Sequence, residues 1–215
     1  MVRTDIVCIL RAARRLGCRP PPLEHPLSMS SNTLCVHTVL ARTRRWLERA
    51  VIGLNLCPFA KAVHVKGQIR WVVSTATSPA QLLDDLQREL HHLAQADPQV
   101  VDTTLLIHPQ VLTDFLDFND FLGEADALVA ELGLEGVLQV ASFHPDYQFG
   151  DAEAEDIAHA TNRSPYPTLH LLREDSIERA VTAFAQPEAI YERNIATLRR
   201  LGPEGWARLM NEDTP

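Results

Sequence analysis

Glycine and cysteine are both scarce in this sequence. Nine glycines in 215 residues leave little room for a phosphate-cradling loop, and neither the glycine-rich nucleotide patterns nor a Gly-x-Ser-x-Gly elbow occurs. Of four cysteines, Cys8 and Cys18 fall in a segment that reads as separate from the domain. The remaining two, Cys35 and Cys57, make neither a disulfide framework nor a zinc ribbon. No apolar run approaches the roughly 18 residues of a membrane-crossing helix. Basic residues are outnumbered: a net charge of -8 argues against a generic binder of nucleic acid or anionic membrane, though not against a small basic pocket. What is present is ordinary. With 46% hydrophobic and 22% charged residues, the chain has the material for one domain with a real core.

The charge is unevenly spread. Residues 1–28 carry five arginines and two acids, a net of +3, so the rest of the chain carries -11. Residues 19–26, Arg-Pro-Pro-Pro-Leu-Glu-His-Pro, suit neither helix nor central strand. Ile6 to Leu10 is too short an apolar core for a secretory signal. The preferred reading makes residues 1–30 an over-extended start with Met29 as initiator. A targeting peptide and a native tail are the alternatives. Residues 31–211 are then a single domain and 212–215 a tail. Without an export signal, the cytoplasm is the simplest compartment.

Periodicity places a helix over Val36–Leu54, with Val39, Thr43, Trp46, Leu47, Ala50, Val51 and Leu54 on one face and Gly53 and Asn55 as its stop. Residues 56–67 read as irregular. β-Branched and aromatic content marks strands at 68–74, 102–108, 136–143 and 168–172. Helices follow the first strand from a Ser78-Pro79-Ala80-Gln81 start and the second over 110–132. A polar stretch from His144 to Pro167 holds at most a short helix near 152–160. Asp175–Glu178 caps a further helix, Pro187 opens another, Gly202-Pro203 closes it, and Trp206 and Leu209 sit on a last short one. Strands joined by such helices are expected to be parallel with right-handed crossovers. The expected fold is α/β, a four-stranded, mostly parallel sheet with flanking helices and additional N- and C-terminal helices.

Three long words occur together: Trp46 to Lys61 (WLERAVIGLNLCPFAK), Ser142 to Phe149 (SFHPDYQF) and Thr161 to Glu174 (TNRSPYPTLHLLRE). With them the chain resembles the family termed domain of unknown function 1415, over about residues 38–202. The resemblance implies a start shortly before the first helix, which fits Met29. It implies no activity and carries over no site residues, so the chemistry has to be read from the side chains.

His108 and His144 each end a strand and precede a proline. In parallel strands both lie at the carboxyl edge, where open α/β sheets bind ligands. With a carboxylate such as Asp146 or Asp151 they would suit zinc or iron, although no His-x-x-x-His or Cys-x-x-Cys spacing supports a metal site. The competing reading is that each imidazole simply bonds loop backbone. Asp146, close to Tyr147 and Phe149, is a candidate general acid or base. Arg163 offers a planar fork to a carboxylate or phosphate, with Asn162 and Tyr166 held beside it by two prolines. The alternative is an Arg163 that merely pairs with a nearby acid. Lys61 is a candidate anion contact. Cys57, flanked by cationic residues but also by Leu56 and Phe59, reads as a packed thiol. Arg70, Gln139 and His170 stand among apolar strand neighbours and would form one wet sheet face, with Arg70 and His170 as further ligand contacts.

The resulting expectation is a cytoplasmic enzyme acting on a small anionic molecule under the 144–167 loop. His144, His108 and Asp146 are its acid/base groups. His108, His144 and Asp151 would be its ligands if a divalent metal is used, and Arg163, Asn162, Tyr166, Lys61, Arg70 and His170 its substrate contacts. No nucleic-acid or membrane partner is expected, and the sequence sets no oligomeric state. The rivals are a non-catalytic small-molecule or protein-binding module using the same loop, and an assembly subunit joined through residues 187–210. An enzyme predicts a deep polar pocket with perturbed His or Asp, a binding module a pocket without a positioned acid/base pair, and a subunit an exposed apolar stripe on the last helices.

Overall fold

The computed structural model describes residues 35–150, 152–182 and 189–211. The expectations about residues 1–30, Met29, Asp151, Pro187 and the 212–215 tail fall outside them. The first helix, α1 (Val36–Trp46), turns Val39, Thr43 and Trp46 inward at helical spacing. It does not continue regularly. Leu47–Ile52 is wound as a π-helix, with Gly53 N–H donating to the Glu48 carbonyl at 3.0 Å and Leu56 N–H to that of Val51 at 2.9 Å. The wide turn needs a glycine. A Cβ on Gly53 would lie 2.2 Å from the Arg49 carbonyl oxygen. Asn55, in the left-handed region at φ 55°, then reverses the chain. Residues read as irregular hold a short helix, α2 (Ala60–Val65).

Strand β1 (Ile69–Val73) leads to α3 (Pro79–Gln95). Ser78 Oγ accepts from the Gln81 N–H at 3.4 Å, and the Gln81 amide oxygen accepts from the Thr77 N–H at 2.9 Å, the reciprocal cap its sequence predicts. Leu82, Leu86, Leu90 and Leu93 form the buried side of α3. Its orphan C-terminal carbonyls are taken by Arg173 Nη2, 2.6 Å from the oxygen of Leu93 and 2.7 Å from that of Ala96. After β2 (Thr103–Ile107), α4 (Phe115–Glu131) starts later than periodicity suggests, because Asp114 caps it with bonds from the N–H groups of Leu116 and Asp117. Then come β3 (Leu138–Phe143), a 3₁₀ segment (Ile157–Asn162), β4 (Thr168–Arg173), α5 (Glu174–Thr182) and α6 (Ala189–Met210). Helix α6 breaks at Gly202, φ 70°, followed by Pro203, where the sequence marks a stop.

The sheet order is β1-β2-β4-β3. Strands β1 and β2 pair in parallel, but β4 pairs antiparallel with both β2 and β3. The sheet is therefore mixed, not mostly parallel. The reason lies in the connections. Helices α3 and α4 span the sheet and return the chain to its starting edge, so β1, β2 and β3 run one way. The described residues of 144–167 contain no spanning helix. They stay at the carboxyl edge, and β4 runs back between β2 and β3, making a split βαβ unit.

Both faces are covered. Leu106, Leu138, Leu169 and Leu171 meet α3 and α4 on one face. On the other, Ile69, Trp71, Leu105, Ile107 and Phe143 meet α1, its π-helical extension and the Trp206 end of α6. The register also corrects the expected wet face. Leu105, His170 and Ala141 are cross-strand partners on the α1 side, as Gln139 is with Leu172, whereas Arg70 pairs with Thr104 on the α3 side.

Candidate functional site

The carboxyl edge brings together His108, His144, Asp146, Asn162 and Arg163, as the parallel run of β2 and β3 requires. His108 N–H donates to the Pro167 carbonyl, and His144 N–H to that of Asn162, so both residues are fixed by backbone before their rings are considered.

The rings are buried and committed. Nδ1 of His144 accepts from the Asp146 N–H at 3.0 Å, which leaves the proton on Nε2, 3.3 Å from the Leu112 carbonyl. His108 Nδ1 donates to the Val111 carbonyl at 3.0 Å. Together they fold the 108–114 loop, including Leu112, which sits in the left-handed region at φ 54°. His159 repeats the device: its Nδ1 accepts from the Phe149 N–H at 3.0 Å and its Nε2 lies 2.8 Å from the Glu153 carbonyl. No feature of the sequence singled His159 out. Between the imidazoles runs a ring stack. Phe118 lies 5.6 Å from His108 and 5.2 Å from His144, and Phe115 lies 5.5 Å from His144 and 5.2 Å from Tyr147. Tyr147 reaches Phe149, which stacks on His159 at 5.9 Å.

Burial sets the protonation. Desolvation lowers His108 to about 4, against the bond to Val111 and helped by the neighbouring His144. Desolvation also lowers His144, opposed by its backbone partner and by the charges of Asp146 and Asp114. Both are neutral at pH 7. His144 has no free lone pair, and His108 has one, on a buried Nε2 without a polar partner among the described residues. Zinc or iron needs three or more such donors, and the described residues hold no cluster of three His, Cys, Asp or Glu. Between them His108 and His144 offer one free imidazole lone pair, and Asp151, the third ligand the sequence suggests, lies outside the described residues. Tyr147 is buried with its hydroxyl near Ser142 and Asn162 but in hydrogen-bond geometry with neither, and desolvation raises its pKa.

Arg163 differs from its neighbours. It is half-buried, its Nε donates to the Tyr147 carbonyl at 3.3 Å, and no carboxylate pairs with it among the described residues. Desolvation lowers its pKa, with the charge of the exposed Asp146 acting the other way. Asn162 is buried and bonds the Ser142 carbonyl through Nδ2. Tyr166 packs against Val39, Leu105 and Ile107, with its hydroxyl 3.5 Å from Arg42 Nη1. Its carbonyl takes the hydroxyls of Ser164 and Thr168, which makes the Arg163–Pro167 turn stiff.

The other candidates stand apart. Arg70 is clamped by Glu89, Nε to Oε2 at 2.7 Å and Nη2 to Oε1 at 3.1 Å. His170 donates from Nε2 to Thr103 Oγ1 at 2.7 Å, since that hydroxyl's own proton goes to the Leu171 carbonyl, and desolvation lowers the imidazole to about 4. Lys61 is exposed on α2, which packs on the π-helical segment. Cys57 packs with Trp46 and Leu47, and burial raises its pKa. A shallow groove of about 580 Å³ lies at the far end of β4, along Asp175, Glu178, Arg179 and Thr182 of α5. None of the large hydrophobic residues exposed among those described, Val36, Val65, Val100 and Val137, is on α6, so the apolar stripe expected of an assembly subunit is missing from its described residues.

The sequence matches, over residues 38–208, the profile of a family described as protein of unknown function, DUF1415. The chain belongs to this family. No curated protein and no solved structure matches it. Family membership thus covers α1 through most of α6 and assigns no activity. No described helix is long and apolar enough to cross a membrane.

Proposed function

We propose that this DUF1415 domain binds a small carboxylated or phosphorylated molecule at the carboxyl edge of its sheet, with Arg163 as the anion contact. One observation carries the reading: a desolvated guanidinium, oriented by the Tyr147 carbonyl and reached by the charge of Asp146, forms no ion pair among the described residues of a chain of net charge -8. An arginine in so acidic a chain would ordinarily find an acid, and one left half-buried without a pair is arranged for an external anion. In this reading the buried histidines are the frame that holds residues 108–114 and 144–163, and the stiff turn before β4 fixes the guanidinium. The two cysteines among the described residues, Cys35 and Cys57, are free thiols, which fits a reducing cytoplasm.

A catalytic version adds Asp146. It is the exposed acid whose charge reaches both Arg163 and His144, so it is the group placed to exchange a proton with a bound anion. Titration with inorganic phosphate and with malonate, followed by amide NMR shifts over residues 144–166, tests the binding. Saturable shifts in the wild type, lost in Arg163→Met and kept in Asp146→Asn, are expected. No saturable shift with either anion, or undiminished binding by Arg163→Met, would overturn it.

A further inference from the structure

β1 lies at the edge of the sheet, and its backbone groups alternate in direction. Gln68 accepts from the Asp102 N–H at 2.9 Å and Ser74 donates to the Ile107 carbonyl at 2.8 Å, so the even-numbered residues face β2. Ile69, Trp71 and Val73 therefore aim their N–H and C=O groups outward, and no described residue bonds them. Within the strand itself the sequence devices that block an open edge are lacking. From Gln68 to Ser74 there is no proline, no lysine and no bulge, and the one charge, Arg70, is turned onto Glu89. All five β1 residues are half-buried, whereas β3, at the opposite edge, is mostly buried.

We propose that β1 pairs antiparallel with β1 of a second copy of this chain, joining two sheets into one of eight strands. The flanking charges favour a copy over an unrelated strand. A two-fold axis normal to the sheet sets α3 beside its own image and α1 beside its own. On α3, Asp85 lies three residues before Arg88, already its ion-pair partner, and the rotation turns each towards its opposite in the other chain. On the other face, Arg44 of α1 lies over Trp71, 5.0 Å from its ring centre, and Glu48 of the π-helical segment follows one turn later, 3.3 Å from His64 of α2. Each flank carries both signs along its axis, which is what self-pairing about a two-fold requires.

Light scattering of the full chain after size exclusion, over a concentration series, is expected to reach twice the 24.0 kDa of one chain. Over the same series the amides of Ile69, Trp71 and Val73 should slow in hydrogen exchange. Val73→Pro removes an outward N–H without touching the bonds to β2, so it should be monomeric with an unchanged circular dichroism spectrum. If that variant fails to fold, the wild-type exchange data decide alone. A single-chain mass at the highest concentration would overturn the proposal. So would a folded Val73→Pro dimer, or protection of the three amides that does not depend on concentration.

Discussion

The sharpest test of the histidine frame is truncation of His144. The ring makes two backbone hydrogen bonds in a fully buried site, to the Asp146 N–H and the Leu112 carbonyl. Each bond is worth about 1 kcal/mol net, and each buried group left without a partner costs about 1–3 kcal/mol. The vacated space between Phe115 and Phe118 adds a cavity cost. His144→Ala should therefore lose about 3–5 kcal/mol of unfolding free energy, read as the shift of a urea transition by circular dichroism. Graded variants separate the two bonds. Asn at this position can keep an acceptor near the place of Nδ1, and Gln can keep a donor near that of Nε2, so each should lose about half as much. Elemental analysis runs beside the melts. A His144→Ala protein within about 1 kcal/mol of the wild type, but stripped of a near-stoichiometric zinc or iron, would refute the framing role and restore the metal reading.

Three further outcomes follow from the same structure. His108 has its pKa lowered from 6.5 to about 4, so between those values the unfolded chain binds a proton that the folded one excludes. Stability should thus be full above about pH 6.5 and fall as pH drops to about 4, by about 3 kcal/mol for this residue; a flat urea midpoint from pH 7.5 to 4.5 would contradict it. Gly53→Ala should lower the melting temperature because its methyl meets the Arg49 carbonyl, while Gly123→Ala, with open space at its Cβ on α4, should raise stability by roughly 0.5–1 kcal/mol. A reversed order in thermal melts would remove the reason given for the π-turn. Arg70→Leu leaves the carboxylate of buried Glu89 without its partner and should cost about 3 kcal/mol, most of it recovered by adding Glu89→Leu. Additive losses in a double-mutant cycle would show the two are not coupled.

Much of the fold was legible in local chemistry. The Ser78 cap, the leucine spacing of α3 and the β-branched strands each depend on residues near one another in sequence, and each is found where the pattern puts it. The order of strands depends on what 144–167 does, and that is a matter of length against sheet height. A polar connection without a spanning helix returns β4 antiparallel, a consequence that a composition-based reading of the loop passes over. The π-helix was hidden for a different reason. Gly53 reads as a helix stop in sequence, and it does help to end the helix, but its necessity comes from a carbonyl 2.2 Å from its missing side chain, which only the three-dimensional turn reveals.

The site shows the harder limit. A histidine before a proline at a strand end has the same sequence signature whether it ligates, catalyses or staples a loop. What distinguishes these roles is the partner of each ring nitrogen. In His144 a backbone N–H claims Nδ1 and a carbonyl claims Nε2, and His159 has the same pair of backbone partners. A ring so engaged cannot accept a substrate proton without giving up a bond that holds its own loop. Arg163 is the converse case. A pair with a nearby acid such as Asp146 is the alternative the sequence leaves open, yet among the described residues the hydrogen bond of the guanidinium goes to a carbonyl. The loop is therefore ordered by its neutral imidazoles, and the charge at its edge is left to face outward. That division of labour is why anion binding at Arg163, and not chemistry at the histidines, is the reading the side chains support.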